Sequence, residues 1–518
     1  MASASALAVG ALLFSFGGSA SAAGAGQPQS GGSMTILENT GGIGNWPLGL
    51  DPGTNLCCLV EDEPYNDAIF GQLFTQDPKG HAVPDLASGY KFLNGNKTVD
   101  IFLRPGVKFS DGTPFNAEAV KWNITRDFAN AAAKSRLYSS FPVQSVTTKG
   151  ADTVVLHLAY PFTPIINSFD SVATPNWIAS PTAYQKMGEK AFSLAPVGAG
   201  PFMVKSDTQN SKLVLVKNPH YWQKGHPYLD SLTFESVGTD ESAYSAVLSG
   251  QAQVVQQVAT ASVAVAAQKN SAVQVERTLG AGTAALQLNT SIAPFNNKLA
   301  REAVYYALNP QQLNKVAAAG EGEVSQSGDG PASLFPILKV PGYRTYDLAK
   351  AKALVKQLGG LSFNITGFAT NPTASEAEQS EFAQAGMKVG ITTVNLAQLV
   401  SAFDHNSWQI TGGGAGGLDP AIGVGGMTWR VQSNAPFTGI HNKTLDKLIA
   451  EGASSTSTDV RTNIYKQIYS YLNQQALLPF LYAAPLWNIA NTKAQGPGLS
   501  FPMYNNYLIE WPDIWLKK

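Results

Sequence analysis

RPGVKFSDGTPFNAEAVKWNITR, residues Arg104 to Arg126, is the stretch on which the reading of this chain turns. The segment before it, TVDIFLRP (Thr98 to Pro105), alternates Val99, Ile101 and Leu103 on one face, the period of a half-buried strand. That strand ends at Arg104-Pro105, since proline has no amide to give to a ladder. Asp111-Gly112 then makes a tight turn. Asn116 is placed to cap a helix, and Ala117, Val120, Ile124 and Phe128 recur at the three- and four-residue spacing of one helical face. The unit is therefore strand, turn and amphipathic helix.

The same mixture continues on both sides. Upstream, MTILEN from Met34 reads as a strand, followed by a Gly-rich loop from Thr40 to Gly44 and a turn at Asp51-Pro52. Glu63 to Phe74 reads as a helix with Ala68, Leu73 and Phe74 apolar. Downstream, DTVVLHLAY (Asp152 to Tyr160) alternates as a strand, KLVLVKN (Lys212 to Asn218) is another, and NPHYW (Asn218 to Trp222) turns the chain. Leu299, Ala303 and Tyr306 then recur at helical spacing. Asn309-Pro310-Gln311-Gln312 is a helix start, with a cap and a proline at the first position, and Gly320 stops that helix. Asp347 caps another, whose face is Leu348, Ala351, Val355 and Leu358, ended by Gly359-Gly360. Strands and helices intermix throughout, so the class is α/β or mixed α+β.

Length and composition narrow the function. At 518 residues the chain has room for two or three large cores. With 44% hydrophobic residues and a mean hydropathy of -0.05 it reads as a globular chain. The formal net charge is -1 with no block of like charge, which argues against nucleic acid or an anionic membrane surface as partner. The first 33 residues do not read as fold. Ala6 to Phe16 is an apolar run of export-signal length, Ala20-Ser21-Ala22 offers a small-residue cleavage site, and Gly24 to Ser33 reads as a linker. The positive flank of such a signal is missing, because the first basic side chain is Lys79. Cys57 and Cys58 are adjacent and read as two buried thiols, a vicinal disulfide being strained. Neither cysteine follows the cleavage site, so a freely diffusing periplasmic or secreted protein is expected.

The opening stretch closely resembles the signature of the family 5 extracellular solute-binding proteins, the receptors of peptide and nickel ABC importers. The resemblance extends from about Met34 to the C-terminus. Glu61 to Phe92 is similar to the family's first helix and its Asp-Pro, Gly, Pro-x-Leu-Ala loop. GAGPFMVK and NPHYW, within Gly198 to Phe234, resemble its Gly-x-Gly-Pro strand and Asn-Pro-x-Tyr-Trp turn. Ala246 to Val255 is similar to a helix end, with Gln253 replacing the family's Asp. Leu288 to Leu313 and Asp459 to Tyr482 resemble two later helical motifs. The resemblance implies an α/β, two-lobed periplasmic-binding-protein fold (type II, large cluster C-like) with an extra inserted subdomain. Lobe 1 would have its base in 34–57, 187–278 and 486–518 and carry 58–186 as the inserted outer subdomain. Lobe 2 would be 279–485, with hinges near Leu279 and Pro485. It also implies a small-molecule or peptide ligand, an ABC permease and its ATPases as partners, a monomer, no cofactor and no catalysis.

In peptide-binding members a Gly-Trp-x-x-Asp segment holds the ligand, its Asp pairing with the peptide ammonium. GGGAGGLDP (Gly412 to Pro420) matches that segment, and Asp419-Pro420 aligns with a later Asp-Pro. The Trp then falls on Gly413 and the anchoring Asp on Gly416, so both are lost. An ammonium buried there would lack its carboxylate. Either the ligand is not gripped by an amino end, or the loop shifts and Asp419 takes over. Gly412, Gly414 and Gly417 formally spell G-x-G-x-x-G, but Pro420 follows at once and no acidic partner stands at dinucleotide-site distance. Backbone packed close to a ligand, or a flexible loop, is the better reading. Tyr138, Trp177, Trp408, Trp429, Tyr482 and Trp487 lie in segments that border the cleft in the family, as stacking or as core residues. Asn39, Thr40 and Gly41 follow the first strand, where relatives often supply polar contacts. The six histidines are scattered without ligand spacing, and neither G-x-S-x-G nor H-E-x-x-H is present. The expectation is a receptor for an oligopeptide-like solute. A receptor for an oligosaccharide, opine or metal chelate is the first alternative, and a secreted hydrolase the second.

Overall fold

The computed structural model describes residues 27–38, 49–54, 63–77, 79–129, 141–169, 176–368, 372–422, 426–433, 435, 439–499 and 509–518. The Ala6 to Phe16 run and the Cys57-Cys58 pair lie outside the described residues.

Three sheets organise the chain. The first has seven strands in the order Val273–Leu279, Pro485–Asn491, Val254–Val258, Ser33–Glu38, Ser231–Ser236, Lys212–Lys217 and Phe202–Thr208. Ser33–Glu38 lies at its centre, parallel to both neighbours. Its alternate residues explain that place. Met34 and Ile36 enter a core with Phe70, Trp177, Phe234 and Trp511, whereas Leu37 faces Val255, Trp487 and Ile489 on the other side. A strand covered on both faces reads as a near-continuous apolar run.

The second sheet is antiparallel, in the order Ala87–Leu93, Thr98–Leu103, Thr153–Leu158 and Val143–Thr148. The helix Ala117–Ala129 packs on it, bringing Val120 and Ile124 against Val99, Ile101, Val154 and Leu156. The local signals of the opening stretch hold here. Gly112 has φ +83°, the Asp111 carboxylate accepts from the Thr113 amide at 2.9 Å, and the Asn116 side chain accepts from the Ala119 amide at 3.0 Å. The helix expected over Glu63 to Phe74 is shorter, Glu63–Phe70. Gly71 at φ +65° ends it, and Phe74 opens a short strand instead.

The third sheet runs Gly282–Leu288, Ile410–Gly416, Ser362–Phe368 and Lys388–Val394. The helices Lys298–Ala307, Leu348–Gln357 and Pro372–Gln384 cover one face, and Thr458–Gln475 brings Tyr465 and Tyr469 to the core on the other. Asn309 and Asp347 cap as read, accepting from the Gln312 and Lys350 amides at 3.2 and 2.9 Å. Two neighbouring segments join the first sheet to the third. Leu279 pairs with Pro485, and the Gly280 amide donates to Ala484 O at 3.0 Å. Away from these crossings, the Thr163 hydroxyl lies 3.2 Å from Ala453 O and 2.7 Å from Ser455 O, and the Asn96 side chain donates to Ser454 O at 3.2 Å. The unit built on the second sheet thus meets the end of the helix Lys443–Ser454. Among the described residues, no helix is long and apolar enough to cross a membrane.

Candidate functional site

The glycine run is a strand, neither a loop nor a phosphate cradle ahead of a helix. Ile410–Gly416 pairs antiparallel with Gly282–Leu288 along its whole length. Ser362–Phe368 accompanies it on the other edge only at Ile410 and Thr411. From Gly412 onward, among the described residues, that edge has no strand beside it, and Gly413 and Gly414 are exposed. A Cβ at Gly414 would meet nothing within 4 Å. From Gly412 to Gly414 the strand therefore has no side chains of its own, and beyond Thr411 its outer edge of amides and carbonyls has no strand beside it among the described residues.

Its far end is tight. Gly416 has φ +76°, and a Cβ there would collide with the carbonyl of Gly328. No aspartate fits at this position with this backbone. The next residue, Asp329, is buried; its Oδ1 accepts from the Tyr469 hydroxyl at 2.8 Å, and its Oδ2 has no hydrogen-bond partner among the described residues. Burial, aided by the nearby Asp419, pushes the Asp329 carboxyl well above the usual range, against the pull of the Tyr469 hydrogen bond.

Asp419 is fully engaged. Arg461 Nη2 donates to both of its oxygens, at 2.6 and 2.8 Å, and the Ala421 amide adds 3.1 Å to Oδ1. Arg461 Nε donates to Gly452 O at 3.1 Å, and its guanidinium lies 4.7 Å from the centre of the Phe335 ring. This buried pair ties the turn after the glycine strand to the long C-terminal helix. It leaves Asp419 no free oxygen with which to take over an ammonium.

Of the other sequence candidates, Gly412, Gly413, Gly414 and Gly416 are brought together by the strand, while the aromatic ones are not. Trp177 lies in the core under the seven-stranded sheet, donating to Asp67 Oδ1 at 2.6 Å. Trp408 is buried edge-on to Phe403, 4.8 Å between centres. Trp487 sits in the core on the opposite face of the first sheet. Tyr482 pairs with Val324, and burial, with Glu378 nearby, raises its hydroxyl to about 12. Asn39, Thr40, Gly41 and Tyr138 lie outside the described residues, as does the side chain of Trp429. Among the described residues no cluster of His, Cys, Asp or Glu is placed to hold a metal ion. One neighbour of the strand carries no motif in the sequence. Arg430, at the end of the short helix Met427–Arg430, has its guanidinium over Gly413, Nη2 being 3.0 Å from where a Cβ would stand. Burial lowers its pKa to about 10.

Residues 81–427 match the bacterial extracellular solute-binding proteins, family 5 Middle. This chain belongs to that family. The receptor is 31% identical over 405 residues to the glutathione-binding protein GsiB of Salmonella typhimurium, spanning 74% of this chain and 77% of that one. Its fold matches the periplasmic binding protein DppA of Helicobacter pylori in complex with the peptide STSA, at a TM-score of 0.79, 20% identity, and coverage of 95% and 99% of the two chains. It equally matches the binding protein AgaA of A. tumefaciens R10 in complex with agropinic acid, at a TM-score of 0.78, 20% identity, and coverage of 94% and 99%. The expected periplasmic-binding-protein fold is thus the observed one. The receptor is an extracytoplasmic solute-binding protein that captures a small organic solute and works with an ABC permease; the family consists of binding proteins, not enzymes.

Proposed function

We propose that the solute is a short peptide or peptide-like molecule, laid in extended form along the open edge of Ile410–Gly416 as an added strand. The observation that carries this reading is the edge itself: paired on one side along its length, without a neighbouring strand on the other beyond Thr411 among the described residues, and with no side chains of its own at Gly412 to Gly414. Main-chain hydrogen bonds to such an edge give affinity that is independent of ligand side chains. A curated relative that binds glutathione, itself a tripeptide, supports the same class.

The chain divides into a lobe 1 base of 34–57, 187–278 and 486–518, an inserted subdomain of 58–186, and a lobe 2 of 279–485. In support, the first sheet falls almost wholly in the base ranges, the second in the insert and the third in lobe 2. The lobes close on the ligand about Leu279–Gly282 and Ala483–Pro485. The receptor acts as a monomer in the periplasm, exported by the Ala6 to Phe16 run, and the permease it serves is driven by ATPases. Native mass spectrometry of protein purified without denaturation tests the ligand class: co-purified peptides of two to five residues are expected. A sugar or a metal chelate in their place overturns the reading. A thermal-shift screen over the same three classes is the second test, since a ligand specific to the folded state raises the melting temperature.

A further inference from the structure

We propose that the receptor carries a second small-molecule site, on the flank of the third sheet, which takes a flat, uncharged ring rich in hydrogen-bond acceptors, a nucleobase-like heterocycle. The proposal does not depend on the peptide reading above.

The site is a cavity of about 430 Å³ at the sheet edge away from the glycine strand. Its floor is formed by residues 479–481, which run beside Gly282–Leu288 on the side opposite Ile410–Gly416. Phe480 bridges to Ala285, and the Leu286 amide donates to Pro479 O at 3.1 Å. At a strand spacing of about 4.8 Å, floor and glycine strand stand about 10 Å apart with a strand between them.

The walls are preformed. The Tyr343 hydroxyl accepts from the Phe480 amide at 2.9 Å, and the Tyr305 and Tyr343 rings lie 6.0 Å apart between centres. The Asn473 side chain pins the loop that carries Tyr343, accepting from the Arg344 amide and donating to Gly342 O, each at 2.9 Å. Tyr346, which is exposed, lines the cavity too. Fixed tyrosine rings suit a flat ligand.

The polar groups of the cavity all face it with one polarity. The Tyr305 hydroxyl accepts from the Leu478 amide at 3.0 Å, Gln326 Oε1 from the Val340 amide at 2.9 Å, and Asn309 Oδ1 from the Gln312 amide at 3.2 Å. In each case the fold uses the acceptor, and the O–H or NH2 donor has no acceptor among the described residues. Burial above all keeps the Tyr305 hydroxyl protonated. The charges nearby are spent within the fold. Arg344 donates to Glu302 Oε1 at 2.9 Å and to Gln474 O at 3.2 Å, and Glu381 Oε2 accepts from the Asn309 amide at 2.7 Å. A charged ligand would lose its hydration here without gaining a counter-charge, whereas a neutral acceptor meets three waiting donors.

Caffeine is the probe, being flat, uncharged and furnished with acceptors alone. Saturation-transfer NMR on the full chain is expected to give a Kd of about 1 mM or tighter. Benzylamine and benzoate should bind at least about tenfold more weakly. Gln326→Glu and Asn309→Asp keep the shape and the oxygen that the fold uses, but put an acceptor where the donor stood. Each should raise the Kd for caffeine at least about fivefold. Gly414→Val, across the intervening strand, should leave it within about twofold. No saturable binding to the wild type, equal binding of the charged probes, or a Kd unchanged in both isosteric variants overturns the proposal. So does a loss of caffeine binding in Gly414→Val, which would place the ring on the glycine strand. Should either isosteric variant fail to fold, the other variant and the comparison of probes on the wild type decide.

Discussion

Asp419 and Gly416, three residues apart, show how one alignment position can be misread for another. Asp419 is a tie within the fold: its partner Arg461 is 42 residues away and holds it with two hydrogen bonds in a buried site. Removing one member of such a pair strands a buried charge. Asp419→Ala should therefore cost about 3–5 kcal/mol of stability, read as a lowered denaturation midpoint. If Asp419 anchored a ligand, the same change would instead spare stability and abolish binding. The double variant Asp419→Leu, Arg461→Met should recover most of the loss, because neither charge is then left alone. Gly416 is fixed by geometry, with φ +76° and the Gly328 carbonyl against it. Gly416→Ala should cost about 1–3 kcal/mol through strain and displacement of Gly328. A Gly416→Asp variant that stayed fully stable and bound amino-terminal ammonium groups would contradict the geometry. Asp-Pro was legible in the sequence as a family feature. Its role was not, since nothing local points from Asp419 to Arg461.

At the scale of elements, legibility followed the range of the signals. The strand Thr98–Leu103, the turn at Asp111-Gly112 and the helix Ala117–Ala129 were readable because alternation, turn chemistry and capping are all local. The helix at Glu63 stops short of its apolar pattern: Leu73 and Phe74 continue the helical period, yet Gly71 breaks it and Phe74 pairs with Pro84 in a two-stranded sheet. The strand Ile410–Gly416 was hidden, because glycine has little intrinsic preference for strands and no side-chain period to read. It is a strand only because Gly282–Leu288, far upstream, pairs with it residue by residue. This element yields the sharpest test of ligand docking. A Cβ at Gly414 meets nothing, so Gly414→Val should fold with a stability change within about 0.5 kcal/mol. The isopropyl group would stand where a ligand backbone has to approach. Affinity for any peptide that co-purifies should fall at least about tenfold by calorimetry. An unaltered Kd would place the ligand elsewhere.

For the whole molecule, two linkages follow, one to protons and one to closure. Where the helix Glu63–Phe70, the strand that follows it and the C-terminal segment meet, burial above all raises three carboxyls: Asp67 to about 7, Asp85 to about 6 and Glu510 to about 8. Unfolded, each would ionise near pH 4. Between about pH 4 and 8 the folded chain thus holds protons that the unfolded chain has released, and stability must fall as pH rises through that window. The melting temperature should be higher at pH 5.5 than at pH 8.5 at constant ionic strength, and Glu510→Gln should narrow the difference. A flat or rising profile would show these carboxyls to be ionised in the fold. Closure has its own reporter. Thr163 belongs to the proposed inserted subdomain, and the carbonyls it meets, Ala453 and Ser455, belong to the proposed lobe 2. If the lobes close on the ligand, this contact exists only in the closed form, and its free energy is part of the observed affinity even though Thr163 touches no ligand. Thr163→Val keeps the shape and removes the hydroxyl, forfeiting about 1 kcal/mol, so the apparent Kd should rise about fivefold. The loss should appear in the off-rate, while Gly414→Val acts at the ligand itself. Scattering from the variant with saturating ligand should still give the compact form, since ligand in excess restores the closed population. An affinity unchanged by Thr163→Val would mean that the contact persists without ligand, and closure would then have to be sought at the Leu279–Gly282 and Ala483–Pro485 crossings alone.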